Sequence, residues 1–154
     1  MKKIATYLAI GLSVTLLTAC GSTGGVKTTA YQGTEAEKKI AKRAEQRWAY
    51  LSSGEYDKAW EYFTPGHKRF ESKEAFDLRM RQKRVDWKGA KVVDVDCDET
   101  ESSCNVTVVV EYIYHSPKPM VGDVEASTEL EEKWIKLKNR WYYVQPGLKQ
   151  KLLK

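Results

Sequence analysis

Thiols and imidazoles have the widest chemical reach in this chain of 154 residues, which has three cysteines and two histidines. Cys97 and Cys104 flank Asp98-Glu99-Thr100-Glu101-Ser102-Ser103, a polar, acidic stretch between two strand-like runs. They can face each other across a hairpin neck. In an oxidising compartment such a pair forms a disulfide. Closing so short a loop stabilises by roughly 2–3 kcal/mol in the chain-entropy picture. The alternatives are two buried free thiols or a metal site. A metal needs further ligands, and His67 and His115 stand at no ligand spacing, so neither metal nor cofactor is expected. His67 follows Thr64-Pro65-Gly66 in a loop, and His115 precedes Ser116-Pro117 at a strand end. Both read as surface or rim residues, and nothing joins them as a dyad. No serine stands in a nucleophile elbow. Gly21, Gly24 and Gly25 lack the strand before and the Lys-Ser/Thr after that a phosphate loop needs.

The third cysteine closes Leu17-Thr18-Ala19-Cys20, at the end of a short apolar run that follows Met1-Lys2-Lys3. Lys2 and Lys3 form a positive start that stays on the cytoplasmic side. The 14 residues from Ile4 to Leu17 carry no charge. As a helix they would cover about 21 Å, short of the roughly 30 Å hydrocarbon core. A signal-peptide h-region fits better than a permanent span. The small Thr18 and Ala19 suit a peptidase pocket. An ordinary signal peptide also ends in small residues, but Cys20 directly after them makes a narrower reading specific: the segment resembles the processing signal of a bacterial lipoprotein. That resemblance implies export, cleavage before Cys20, a diacylglyceryl group on its sulfur and a third acyl chain on the freed amine. One chain anchors marginally and two or more anchor stably, at roughly 0.8 kcal/mol per buried CH₂. Gly21 follows the cysteine. In enterobacterial lipoproteins an Asp there favours inner-membrane retention, so the resemblance points to the periplasmic face of the outer membrane. An oxidising periplasm in turn favours the Cys97–Cys104 disulfide.

Residues 1–19 hold two Lys and no acid, so their removal lowers the formal charge from +5 to +3. That is mild for the length, and neither charge nor export points to nucleic acid. The remaining 135 residues suffice for one domain with one core. Four segments are expected: a signal peptide over 1–19, the lipidated cysteine and a small, polar, Gly-rich tether over 20–33, a folded domain over 34–146, and a basic tail over 147–154.

Within the domain, Thr34-Glu35-Ala36-Glu37 fits a capping box. Ala36, Ile40, Ala44, Trp48 and Leu51 then form one apolar stripe, stopped by Ser52-Ser53-Gly54. A shorter helix carries Tyr56, Ala59, Trp60 and Phe63, ending at Thr64-Pro65-Gly66. Ser72 can cap a third helix with Phe76 and Met80, running to about Arg84. Beyond Trp87 the period becomes two. Lys91 to Cys97 sets Val93, Val95 and Cys97 on one face, and Cys104 to Tyr114 sets Cys104, Val106, Val108, Val110, Tyr112 and Tyr114 on one side. A third strand is expected from about Glu125 to Leu137, with Lys138-Asn139 turning into Arg140-Trp141-Tyr142-Tyr143-Val144.

Helices first and antiparallel strands after them argue α+β, with three N-terminal helices packed on a curved four-stranded antiparallel sheet. Three features carry a resemblance: that order, the segment Trp48-Ala49-Tyr50-Leu51-Ser52-Ser53-Gly54-Glu55-Tyr56-Asp57-Lys58-Ala59-Trp60, and the closing Trp134…Asn139-Arg140-Trp141-Tyr142 hairpin. Over about residues 35 to 146 the chain resembles the nuclear transport factor 2-like (cystatin-like cone) superfamily. The resemblance implies a pocket between the long helix and the concave sheet, and an outer sheet face that serves relatives as a dimer surface. It speaks to fold more than to activity, because the fold hosts many functions.

Enzymes on this fold need a carboxylate base in an apolar site and a donor for a developing oxyanion. Glu132 is the best candidate base here, since it shares strand parity with Leu130 and Trp134. Glu111, between Val109 and Ile113, is a second, with Tyr112 or Tyr114 as donors. The stronger expectation is that both glutamates are exposed: a bulge between Glu132 and Trp134 would turn the carboxylate to solvent, and Glu129, Glu131 and Lys133 mark a charged stretch. Of the five tryptophans, Trp48 and Trp60 lie on apolar helix stripes and belong to the core, and Trp87, between Asp86 and Lys88, is the one expected exposed. Arg79, Arg81, Lys83 and Arg84 form a basic segment that could meet an acidic partner, lipid phosphates or envelope polymer. A solvated face near a helix C-terminus explains it as well. The reading that follows is a lipid-anchored envelope protein whose non-catalytic cone binds a small ligand or a partner protein, as a ligand-binding module or an accessory subunit of an envelope assembly. An isomerase, dehydratase or cyclase using a pocket acid is the alternative.

Overall fold

The computed structural model describes residues 31–118, 120 and 122–146. The signal segment, Cys20 and the basic tail lie outside the described residues. The elements are α1 (Glu35–Ser52), α2 (Tyr56–Trp60), a 3₁₀ turn (His67–Arg69), α3 (Lys73–Arg81), β1 (Val85–Cys97), β2 (Ser103–His115), β3 (Asp123–Leu137) and β4 (Arg140–Val144). The four strands form one antiparallel sheet in the order β1-β2-β3-β4. The α+β architecture is the one the sequence implies.

α1 begins as its sequence dictates. The Thr34 hydroxyl accepts from the Glu37 amide at 3.2 Å, and the Glu37 carboxylate accepts from the Thr34 amide at 2.8 Å, so two orphan donors of the first turn are satisfied. Its stripe of Ile40, Ala41, Ala44, Trp48 and Leu51 is buried. Against it lie the inward residues of β2, namely Cys104, Val106, Val108 and Val110, and Trp134 of β3, all at most 1 % exposed. The β3–β4 hairpin turns on Lys138 (φ +48°) and Asn139 (φ +65°). Two consecutive left-handed residues match the twist of the flanking strands.

Four boundaries differ from expectation. α2 stops at Trp60 rather than at Phe63, because the next backbone groups serve the sheet edge: the Tyr143 amide donates to the Tyr62 carbonyl at 2.7 Å, and the Thr64 amide donates to the Tyr143 carbonyl at 3.3 Å. α3 stops at Arg81, not Arg84, and the Arg84 carbonyl accepts from His115 at 2.9 Å. β3 begins at Asp123, two residues early. β1 begins at Val85, six residues before Lys91, and is irregular: its register with β2 shifts between Trp87 and Gly89 and again between Val92 and Asp94. The second shift inserts one residue and reverses the alternation. Val92 and Val95 are therefore buried, while Val93, expected to share a face with Val95, is 45 % exposed. The first shift turns Trp87 inward, against expectation. Its ring meets Trp48 edge-on at 5.4 Å and Tyr112 at 6.0 Å.

Candidate functional site

Among the described residues the concave face of the sheet carries one buried acid, and α1 supplies its counter-charge. Glu132 is 4 % exposed and Arg47 5 %. The β2–β3 register runs unbroken past Glu132, which pairs with Val106. No bulge intervenes, and the expectation of a solvent-facing carboxylate is corrected. Arg47 Nη1 donates to Glu132 Oε1 at 2.8 Å and Trp48 Nε1 donates to the same oxygen at 2.9 Å. Trp134 Nε1 donates to Oε2 at 3.0 Å. The guanidinium also lies 3.8 Å from the centre of the Tyr143 ring, where the π face favours a cation. A charge taken out of water needs such compensation.

Arg47 was not among the sequence candidates. The signal was present: it falls three residues after Ala44 and four before Leu51, inside the apolar stripe of α1.

Above this pair opens a cavity of about 220 Å³. Arg47, Trp48 and Leu51 of α1, Phe76, Arg79 and Met80 of α3, Trp87 of β1, Leu130 of β3 and Tyr143 of β4 line it, with Lys83, Glu131, Gln145 and Pro146 around it. At the mouth Arg79 grips Glu71 through Nε (2.6 Å) and Nη2 (2.9 Å). That contact holds the Glu71 carboxyl below its usual range. His67 adds a ring nitrogen to Glu71 at 3.1 Å and stacks on Phe63, centroids 4.3 Å apart. Burial pushes the Tyr143 phenol above its usual value, and Glu132 pushes the same way while Arg47 and Arg79 oppose. The phenol stays neutral at ordinary pH.

The other candidates are dispersed. Glu111 faces outward and is exposed, opposite Ser127, because it has the parity contrary to Val108 and Val110. It borders a shallow depression with Lys88, Ile113 and Glu125. Tyr112 is half-buried beside Trp87, and Tyr114 is 39 % exposed. His115 lies between Asp86 (3.0 Å) and Asp123 (2.9 Å), which raise its pKa, Asp123 most strongly. Among the described residues the two histidines share no partner. Of the basic segment, Arg79 and Lys83 meet at the cavity, Arg81 pairs with Asp77 on its own helix, and Arg84 is exposed. Cys97 and Cys104 are opposite each other in the β1–β2 ladder and form a disulfide, as expected.

No family model matches the chain, and no curated protein does. Solved structures do. A SEC-C motif-containing protein from Rhodopseudomonas palustris aligns with a TM-score of 0.52 at 16 % identity, over 71 % of this chain and 77 % of that one. The likeness is one of fold alone. A SEC-C motif-containing protein from Psychrobacter arcticus gives 0.46 at 17 % identity over 75 % and 63 % of the two chains. An NTF2-like protein involved in plasmid conjugation gives 0.47 at 12 % identity over 72 % and 47 %.

Proposed function

We propose that this chain is a lipid-anchored cell-envelope protein, held at the periplasmic face of the outer membrane, whose cone domain binds a small ligand without transforming it. One observation carries the binding role: the inward acid of the cone is paired with a buried guanidinium and accepts from two indoles, beneath a cavity that stays open. A carboxylate that takes a proton from substrate must offer an oxygen to it. Both oxygens of Glu132 are instead occupied by Arg47 and two indoles. What the cavity offers is aromatic and aliphatic wall with a few polar groups, the make-up of a binding site.

The anchoring half rests on the N-terminal signal and accords with the disulfide. We favour a cavity ligand over a second copy on the outer sheet face. Glu111, Glu125, Glu129 and Glu131 share that face with Lys91 and Lys133, so acids outnumber bases where two copies would meet.

Two measurements test this. Palmitate labelling in cells should mark the native chain and not Cys20→Ala, and an unlabelled native chain overturns the anchor. Native mass spectrometry of protein extracted gently from envelopes should show an unaltered small molecule that Leu130→Trp displaces. Turnover of that molecule, lost in Glu132→Gln with the fold intact, would restore the enzymatic reading.

A further inference from the structure

The backbone edges of the sheet are not equally engaged. The free side of β1 is broken by two register shifts. It is also bonded: the Val92 amide donates to Glu45 at 3.4 Å, and the Val95 carbonyl accepts from Tyr31 at 3.3 Å. The free side of β4 is bonded by Tyr62 and Thr64. β3 is different. Its Lys136 amide donates to Ser102 on the β2 side at 2.8 Å, so antiparallel alternation turns the backbone groups of the odd-numbered residues away from β2. Lys133, Ile135 and Leu137 meet β4 in this way. The same register continued sets Pro146 opposite Glu131, and a proline brings no N–H. The ladder ends at Val144, and Glu125, Ser127 and Glu129 direct their N–H and C=O groups to an open side. Among the described residues only the Thr128 hydroxyl, 3.5 Å from the Glu129 carbonyl, reaches these groups.

We propose that the open edge of β3, from Val124 to Glu131, receives an extended segment of a partner protein in which basic and apolar side chains alternate. The β2–β3 register is unbroken along this run, so a straight strand can lie beside it. Main-chain bonds supply the attachment and alternate side chains the selectivity. On the outer face the row is Glu125, Ser127, Glu129 and Glu131, all exposed. Its three acids make no ion pair among the described residues. Lys133 lies past the row, beside β4, and Lys88 reaches the depression at Glu125 from β1. Partner side chains opposite the row are therefore basic. On the concave face Val124 and Leu130 are 42 % and 36 % exposed, so the intervening partner side chains are apolar. Charge and phase select against other occupants. A second copy pairing β3 with β3 would set acids against acids. The tail of this chain, continued in the β4 register, would put Leu148 and Leu152 opposite Glu129 and Glu125 and turn Lys149 and Lys151 to the concave face. That is out of phase with both rows.

The full chain in non-ionic detergent is titrated with an end-blocked, fluorescent peptide of alternating Lys and Val. The controls are a peptide of the same composition with its valines adjacent and an alternating Glu-Val peptide. Binding is read by anisotropy and by residue-resolved amide exchange. The alternating basic peptide is expected to bind at least about tenfold more tightly than either control. It should slow exchange at Glu125, Ser127 and Glu129, and added salt should weaken it. Ser127→Pro removes one outward N–H while leaving the β2 bonds in place, and should cost at least about tenfold. Glu125→Lys with Glu129→Lys keeps every backbone group and should move the preference to the acidic peptide. Absent binding, equal binding of the three peptides, or binding that leaves those amides exchanging freely overturns the proposal. So does protection of the same amides in the native chain alone. If that protection follows dimer formation, a second copy holds the edge; if Leu148→Pro with Gln150→Pro abolishes it, the tail does.

Discussion

The two ends of β3 lie on the same sheet and alternate in the same way, yet only one is sealed. From Lys133 to Ile135 the strand is flanked by both β2 and β4. Its inward Trp134 is 0 % exposed, and the neighbouring Glu132 is 4 % exposed. From Asp123 to Glu131 it has only β2 beside it. Leu130 is 36 % exposed there, Val124 is 42 %, and Tyr114 across the ladder is 39 %. Strand periodicity sets the direction of each side chain. What covers it depends on β4, which is 5 residues long beside the 15 of β3, and on where the helices lie. A charge can be buried at the sealed end because α1 brings Arg47 to meet it. At the open end Leu130 lines the cavity, and Val124 and Tyr114 are exposed.

The widest gap between the ends should come from Arg47→Ala. It leaves Glu132 buried without its cation, and the expected loss is about 3–5 kcal/mol in urea unfolding. A loss below about 1 kcal/mol would mean that water already reaches the pair and that the contrast with the open end is false.

Next comes the β1–β2 hairpin tip. Cys97→Ser with Cys104→Ser should cost about 2–3 kcal/mol, measured against the native chain in non-reducing buffer. Dithiothreitol should lower the native chain to the level of the variant.

A smaller effect separates the ends by pH. Asp98, at the disulfide tip, is held at about 2 because the Ser102 amide and the Ser102 and Thr100 hydroxyls donate to it. Its contribution is present above the ordinary carboxylate range and is lost as pH falls towards about 2. His115, at the far end of the same hairpin, is raised by Asp123 and Asp86. Its contribution is complete below the ordinary histidine value and is lost as pH rises through the raised one. Both are therefore in force between about pH 4 and 6.5. Asp98→Ala should flatten only the acid limb of the unfolding midpoint, where Glu61 and Glu71 also act, and His115→Gln only the upper limb.

The smallest change should be Val124→Ala, within about 0.5 kcal/mol. A cost near that of a core valine would show that the open end is covered in solution.

Local signals made much of the fold legible. The capping box at Thr34 and Glu37 set where α1 begins, the apolar stripe set its buried face, and Lys138-Asn139 marked the last hairpin. Each is decided by neighbours a few residues apart. The bulge between Val92 and Asp94 left no such trace, because Val92, Val93 and Val95 are all valines and either parity reads as a strand. Trp87 looked exposed between two charged residues because the wall that covers it, Trp48, is 39 positions earlier. The site was half visible. Parity placed Glu132 inward, but its burial depends on a guanidinium 85 residues away, and an arginine inside an apolar stripe is easily passed over as a break in it.

The Tyr31 hydroxyl donates to the Val95 carbonyl at 3.3 Å, two residues before the disulfide. The chain thus enters the domain beside the tightly bonded β1–β2 tip, and the 18 residues of α1 then run about 27 Å along the sheet, with Trp48 and Leu51 near its far end at the mouth. Any force or tether applied ahead of Tyr31 takes hold beside the disulfide-closed end of the β1–β2 hairpin. The cavity mouth lies toward the other end of α1, beside Trp48 and Leu51.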